Sequence, residues 1–267
     1  MIEVIQQQFK PDMPDELKLN LAREFLQILA LKIMHDKHFF YNLAFTGGTA
    51  LRILFNTKRF SEDLDFSLVE KKGYSFSEIN SKLISEFRLY GLNTEIKPSE
   101  ERTVHSVFLK FSGLLKLLGL SPLNGQKLAI KIEIDTNPPK GGILETTLIN
   151  KTYVFPIVHF DLPSMFAAKL SACFYRKYTK GRDFYDFIWY ISKKNMPNFL
   201  LLNNAIEQTQ GHSPKIDESN FKNFLLENIE KIDFNLVKLD VERFLEDKTE
   251  LGLFDLKIIK PTIERTY

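Results

Sequence analysis

The residues Phe45 to Leu68, FTGGTALRILFNTKRFSEDLDFSL, restrict this chain more than any other stretch. Gly47 and Gly48 open a loop beside Thr49, and the apolar string Ala50, Leu51, Ile53, Leu54 and Phe55 then predicts a short helix. The stretch closes on Asp63-Leu64-Asp65-Phe66-Ser67-Leu68, which alternates as a half-buried strand does. Successive strand side chains point to opposite faces, so Asp63 and Asp65 share one face while Leu64, Phe66 and Leu68 face the core. Two neighbouring carboxylates repel unless a cation lies between them, and an oxygen-preferring ion such as Mg²⁺ answers that need. Glycines ahead of a helix let backbone N–H groups approach a phosphate, and the helix dipole favours the negative charge. A phosphate cradle and a metal pair on one short stretch predict a nucleotide site. It is not a Walker A loop, because no Gly-Lys-Ser/Thr follows the glycines, and it is not a Rossmann fingerprint.

The rest of the composition narrows the class. At 267 residues the chain can form one large domain or two modest ones, each with a real core. Its 44% hydrophobic and 26% charged residues are ordinary for a globular protein. A net charge of +2 gives no global argument for nucleic acid, so any basic surface has to be local. Cys173 is the single cysteine, which excludes an intrachain disulfide and fits a reducing cytoplasm. No apolar run is long enough to span a bilayer, and the first residues lack the basic start and apolar stretch of a signal peptide. These features predict a cytoplasmic protein with no membrane contact.

Taken in order, residues 15–34 carry apolar groups at helical spacing, with Asp15 as cap. His35 and His38 follow, and without further soft ligands at matching spacing they read as a polar helix end. Ser75 and Glu78 predict a capping box for a helix over 77–90 that Gly91 stops. Strands are predicted at 92–97, before Pro98 and a charged loop, and at 104–112 with Val107, Leu109 and Phe111 on one face. Asn124-Gly125 is a hairpin signal leading into 127–135. Pro138 to Gly142 breaks the chain, and 151–158 is a last short strand whose Pro156 suggests a sheet edge. Beyond Asp161 the pattern is helical, with patches near 219–231 and 234–247. The change near residue 160 divides the chain into 1–160 and 161–267.

Two later stretches carry chemistry. In Ile130-Lys131-Ile132-Glu133-Ile134-Asp135 the isoleucines bury one face, which puts Lys131, Glu133 and Asp135 on the other. In DLPSMFAAKLSACFYRKYTKGRDFYDFIWYI, residues 161–191, Asp161 caps a helix that places Lys169, Cys173, Arg176 and Lys180 along one face and ends at Gly181. Lys169 is set among Phe166, Ala167, Ala168, Leu170 and Ala172, so its charge calls for a carboxylate or a triphosphate. Arg182 and Asp183 begin a second helix, with Asp186 one turn on. Cys173 reads as a packed small group, since no histidine is near to activate it.

GGTALRILF…RFSEDLDF resembles motif I of the polymerase-β-like nucleotidyltransferases, and its wording is similar to the AbiEii/AbiGii-type nucleotidyltransferase toxins. Residues 161–191 are similar to the Lys-Leu…Arg…Arg-Asp-x-x-Asp region of the same family. The resemblance implies an α+β fold: a polymerase-β-like core of mixed sheet and flanking helices, a C-terminal helical domain, and a cleft between them as active site. It implies an enzyme that moves a nucleoside monophosphate from an NTP to an acceptor hydroxyl with Mg²⁺ or Mn²⁺. Asp63 and Asp65 would hold the metal, with Glu133 or Asp135 as third carboxylate, and Gly47, Gly48 and Thr49 would meet the phosphates. Lys169 would neutralise the triphosphate and Asp186 or Asp183 would orient it, with Arg176 and Arg182 as further nucleotide contacts. The implied acceptor is a tRNA 3′ end or another RNA, met by Arg176, Lys177, Lys180 and Arg182, and the implied partner is a cognate antitoxin encoded nearby. Two other readings stay open: a core that binds nucleotide or RNA without transfer, and an aminoglycoside-type nucleotidyltransferase.

Overall fold

Ile130, Ile132 and Ile134 alternate with half-exposed Lys131, Glu133 and Asp135, and this period-two pattern makes residues Leu128–Asp135 a strand with one wet face. The computed structural model describes residues 1–101, 103–123 and 125–267. In chain order it begins with α1 (Ile2–Gln6), α2 (Asp15–Asp36), β1 (Leu43–Thr46), α3 (Gly47–Phe55), β2 (Asp63–Leu68), α4 (Phe76–Leu89), β3 (Thr94–Glu101) and β4 (Val104–Phe111). Then come α5 (Leu114–Leu117), β5 (Leu128–Asp135), β6 (Leu144–Asn150), β7 (Val154–Phe160), α6 (Leu162–Tyr175), α7 (Gly181–Ser192) and α8 (Phe199–Gln210). The chain finishes with α9 (Phe221–Ile229), α10 (Phe234–Val241) and α11 (Leu256–Thr266). The described residues form a seven-stranded mixed sheet in the order β3-β4-β5-β2-β1-β7-β6, so the expected α+β class holds.

The chain separates into two compact units. The first comprises Met1–Ala50, Phe60–Asn137 and Thr146–His159; the second comprises Leu51–Arg59, Pro138–Glu145 and Phe160–Tyr267. In the first unit β2 pairs parallel with β5 and antiparallel with β1. One face of these strands buries Leu64, Phe66, Ile130, Ile132 and Ile134, and α2 packs against β5. Phe40 and Phe45 add their rings to Phe66, at centroid separations of 6.2 and 5.4 Å. In the second unit α7 packs on α6 and α10. Phe166 stacks on Tyr190 at 4.4 Å, and Phe221 meets Phe166, Phe199 and Tyr267 edge-on.

Several local expectations are corrected. Asp15 is not the cap of α2 but its first residue, after Pro14. Pro98 does not end its strand: β3 runs through it to Glu101, which an outermost strand tolerates because the missing N–H costs no ladder bond. Pro156 lies on β7, which is not the edge, because β6 covers it; β7 meets β1 at Phe45–His159, three residues past the proline. β6 itself has no apolar alternation, only Ile149 being buried, so its sequence gives no strand signal. α6 ends at Tyr175, and Gly181 opens α7 rather than closing α6. A Cβ at Gly181 would stand 2.3 Å from the Val237 carbonyl oxygen, and its N–H donates to Asp240 Oδ2 at 2.7 Å, so glycine here lets α10 approach. The expected hairpin turn at Asn124-Gly125 lies partly outside the described residues.

Candidate functional site

In the first unit the parallel register of β2 and β5 sets Asp63 beside Lys131, Asp65 beside Glu133 and Ser67 beside Asp135. Paired residues of neighbouring strands point to the same face, so Asp63, Asp65, Lys131 and Glu133 form one patch on the sheet's wet side. Lys131 Nζ pairs with Glu133 Oε1 at 2.6 Å and lies over the Phe108 ring at 5.4 Å. Burial alone would lower the Lys131 pKa, but Glu133, Asp63 and Asp65 outweigh it and hold the ammonium above its ordinary value. Asp135 stands one step further along the face. Its carboxylate accepts the Asn137 N–H at 2.9 Å, and burial pushes its pKa upward.

The β1–α3 turn comes up against this patch. Gly47 has φ +78°, and a Cβ there would fall 2.2 Å from Asp65 Oδ2, so the turn closes onto the carboxylate only because the residue is glycine. Thr49 is fully buried and its hydroxyl donates to the Asp63 main-chain carbonyl, tying the start of α3 to β2. A phosphate at this turn would therefore meet main-chain N–H groups of the first helical turn, not the Thr49 hydroxyl. Among the described residues no three His, Cys, Asp or Glu side chains converge as a preformed metal cage. Mg²⁺ needs none, since it is commonly held by one or two carboxylates with waters and substrate phosphates. Asp63 and Asp65, hard oxygen donors on one face beside an anion-compatible turn, are a donor set of that kind.

The second unit holds a buried charge cluster. Asp186 is fully buried on α7 and takes Arg59 in a bidentate pair, Nε–Oδ1 at 2.6 Å and Nη2–Oδ2 at 2.5 Å. Lys169 Nζ lies 2.9 Å from Asp186 Oδ2 and 2.6 Å from Asp183 Oδ1, and Arg176 Nη1 reaches Asp183 Oδ2 at 2.5 Å. Burial would lower the Lys169 pKa, but Asp183 and Asp186 raise it above its ordinary value. Burial would raise that of Asp183, but Lys169 and Arg176 hold it low. Three cations and two carboxylates leave one surplus positive charge, formally. Cys173 donates to the Asp183 carbonyl at 3.4 Å, and burial pushes its thiol pKa well up, which makes it an inert packing group. Arg182 stacks on Phe244 at 4.3 Å, and Lys180 stands before α7 over Tyr178 at 5.7 Å.

The family described as nucleotidyl transferase AbiEii toxin, type IV toxin–antitoxin system, matches over residues 29–264. The chain belongs to that family. It is a nucleotidyltransferase, and AbiEii membership implies a nucleotide substrate and a cognate antitoxin. No curated protein matches the chain. Similar solved structures include JHP933 from Helicobacter pylori, 18% identical over 92% of this chain and 96% of that one, with a TM-score of 0.48. A candidate nucleotidyltransferase from H. pylori is also 18% identical, over 90% and 96% of the two chains, with a TM-score of 0.49. No helix of the described residues is long and apolar enough to cross a membrane.

Arg59 carries no sign of its role in the sequence. It stands in the same RFSEDLDF block as Asp63, yet its partner lies 127 positions along the chain, and no local pattern links them. Alternation alone puts Lys131 on the wet face, but its coupling to Asp63 and Asp65 depends on the β2–β5 register.

Proposed function

We propose that this AbiEii-family enzyme transfers a nucleoside monophosphate from an NTP to an acceptor hydroxyl in a divalent-metal-dependent reaction, with the 3′ end of a tRNA as acceptor and growth arrest as outcome. The observation that carries this reading is the register Asp63–Lys131 and Asp65–Glu133 beside the Gly47 turn. Asp63 and Asp65 would hold a divalent ion, which when bound neutralises charge on the phosphate oxygens. The N–H groups at Gly47, Gly48 and Thr49 receive phosphate oxygens. Register favours Glu133 over Asp135 as third carboxylate, because Glu133 and not Asp135 stands beside Asp65. Glu133 takes the proton of the acceptor hydroxyl as its oxygen bonds to the α-phosphorus, while the bond from that phosphorus to the β-phosphate bridging oxygen breaks and pyrophosphate leaves. Lys131, paired with Glu133 Oε1 at 2.6 Å, holds that carboxylate in place for the step. In the second unit Lys169 is the cation that the family resemblance assigns to the triphosphate, and Arg59, Asp183 and Asp186 fix its orientation. The basic groups Lys177 and Lys180 are the RNA backbone contacts of this proposal.

The test incubates purified protein with Mg²⁺, each labelled NTP in turn, and total tRNA or protein as acceptor. Label should enter tRNA with wild type and fall to background with Asp63→Asn/Asp65→Asn. Glu133→Gln should lose on the order of 100-fold or more. Transfer by the double variant at the wild-type rate would remove the assigned site. Absence of transfer by wild type to any acceptor would favour a protein that binds nucleotide without transferring it.

A further inference from the structure

Lys58 and Arg59 are neighbours with opposite surroundings. Arg59 is buried on Asp186, whereas Lys58 is exposed at the mouth of a cavity of about 590 Å³ within the second unit. α7 divides the two in the same way. Asp183 and Asp186 serve the charge cluster, while Tyr185, Ile188, Trp189 and Ser192 line the cavity. Its remaining wall comes from the end of α3, the segment before α11 and α11 itself, through Phe55, Leu253, Ile258, Ile259 and Thr262. The Phe55 and Trp189 rings stand 6.3 Å apart, tilted by 58°. Leu253 and Ile258 leave 42% and 45% of their surface in water. An apolar, aromatic concavity of this size is what a small organic ligand requires.

The charges around it are specific. The lining carries two ammonium groups, Lys58 and Lys193, and one carboxylate, Glu250, whose Oε2 already accepts the Tyr185 hydroxyl at 2.9 Å. Asp247, which also feels Lys58, lies outside the lining and is tied to Thr249. Lys58 is carried to the mouth by Asn56, whose φ of +55° is a left-handed conformation that asparagine tolerates better than most residues. The Ser192 and Thr262 hydroxyls donate to the Trp189 and Ile258 carbonyls at 2.7 Å each and keep lone pairs for an outside donor. A flat ring with N–H edges and one attached anion satisfies all three features: the aromatic wall, the hydroxyl acceptors and the cationic mouth.

We infer that this cavity, lined by residues of the second unit alone, binds a nucleobase carrying a phosphate, stacked on Trp189. The same chemistry is offered by a free mononucleotide and by the unpaired end of an RNA strand. Trp189 is the only tryptophan of the chain, so its emission reports on the wall itself. The experiment titrates the full-length Asp63→Asn/Asp65→Asn protein in EDTA, which separates the result from the fate of the transfer reaction. One arm adds nucleoside monophosphates and the other a short single-stranded RNA of mixed sequence. A saturable change in Trp189 emission is expected in at least one arm; the arm that responds identifies the source. Lys58→Glu/Lys193→Glu should weaken it at least tenfold, and Thr262→Phe, which fills the cavity, should abolish it. Thermal melts of the variants check their folding, and Trp189→Ala, followed by equilibrium dialysis, provides a second loss-of-binding variant. No saturable change in either arm, or a response indifferent to the charge reversal, would overturn the inference.

Discussion

Arg59 and Asp186 meet through two parallel hydrogen bonds of 2.6 and 2.5 Å while exposing 1% and 0% of their surfaces. The stretch that carries Arg59 is itself anchored: the Glu246 N–H donates to the Lys58 carbonyl at 3.4 Å, and Arg59 bridges to Leu245. A guanidinium fork matched to a carboxylate in this way fixes direction as well as distance.

Breaking that pair from one side leaves a buried charge short of a partner. Arg59→Met should therefore cost about 3–5 kcal/mol. Lys169, which still touches Asp186, should keep the loss near the lower end. Arg59→Lys retains the charge but not the fork, and should fall between. Arg59→Met/Asp186→Leu should recover part of the loss, because Lys169 keeps Asp183 as partner. Urea denaturation of the four proteins decides it; a double variant no better than Arg59→Met would show that the pair is not the source of the cost.

Asp183 gives the cluster an acid limit. Its folded pKa lies below the ordinary 3.8, because Lys169 and Arg176 outweigh the upward push of burial. Between the folded value and 3.8 the unfolded chain binds the proton and the folded chain does not, so stability rises with pH across that window. The contribution is complete above the unfolded value and disappears as pH falls through the folded one. Urea midpoints measured from about pH 6 down to about pH 2.5 should drop for wild type, and Asp183→Asn should flatten that acid limb. Equal slopes in the two proteins would assign the acid sensitivity to other carboxylates.

The sheet's wet face was readable in advance because alternation is a local signal. Asp63–Asp65 and Lys131–Glu133–Asp135 each announce one buried and one open side, and the structure places them so. Their register was not readable, since pairing Asp65 with Glu133 rather than Asp135 depends on how two strands far apart in sequence align. Ser75 and Asp161 were legible as caps for the same local reason, each accepting an N–H three residues on. β6 was hidden because an edge strand with one buried residue carries no period. α8 and α11 fall in the stretch that reads as helical beyond Asp161, but their bounds carry no sharp signal: α8 has an Asn198 cap but a nearly continuous apolar start, and α11 contains Pro261. The Thr49 side chain, next to the glycines in sequence, turned inward for a reason that only the β2 carbonyl supplies.

That carbonyl makes Thr49 a test of how the first helical turn is tethered. Thr49→Val keeps the shape and removes the donor, leaving the Asp63 carbonyl without the hydroxyl and a cost of about 1–3 kcal/mol. Thr49→Ser keeps the donor and should cost less. Nucleotide transfer should follow the same order, because the tether holds α3 to the strand that bears Asp63. Thermal melts and initial transfer rates on the three proteins give the comparison, and a valine variant as stable as wild type would make the bond incidental.

Gly47 sets the tolerance of the site itself. Alanine there meets two separate penalties: a left-handed φ of +78°, and a Cβ 2.2 Å from Asp65 Oδ2 and 2.9 Å from Asp65 Cβ. The first is a backbone cost of roughly 1–2 kcal/mol that no change at Asp65 can relieve. The second can be relieved in part by shortening Asp65, so Gly47→Ala/Asp65→Ala should be less destabilised than the two single changes added together, by at least about 0.5 kcal/mol. Gly47→Ala alone should also lose transfer activity, because the carboxylate has to swing away from its face or the turn has to lift from the strand. A four-protein denaturation cycle measures the coupling directly. Additive losses would mean that the turn yields to the new methyl group without moving Asp65, and the close approach of Gly47 to the carboxylate would then have no part in holding the site's geometry.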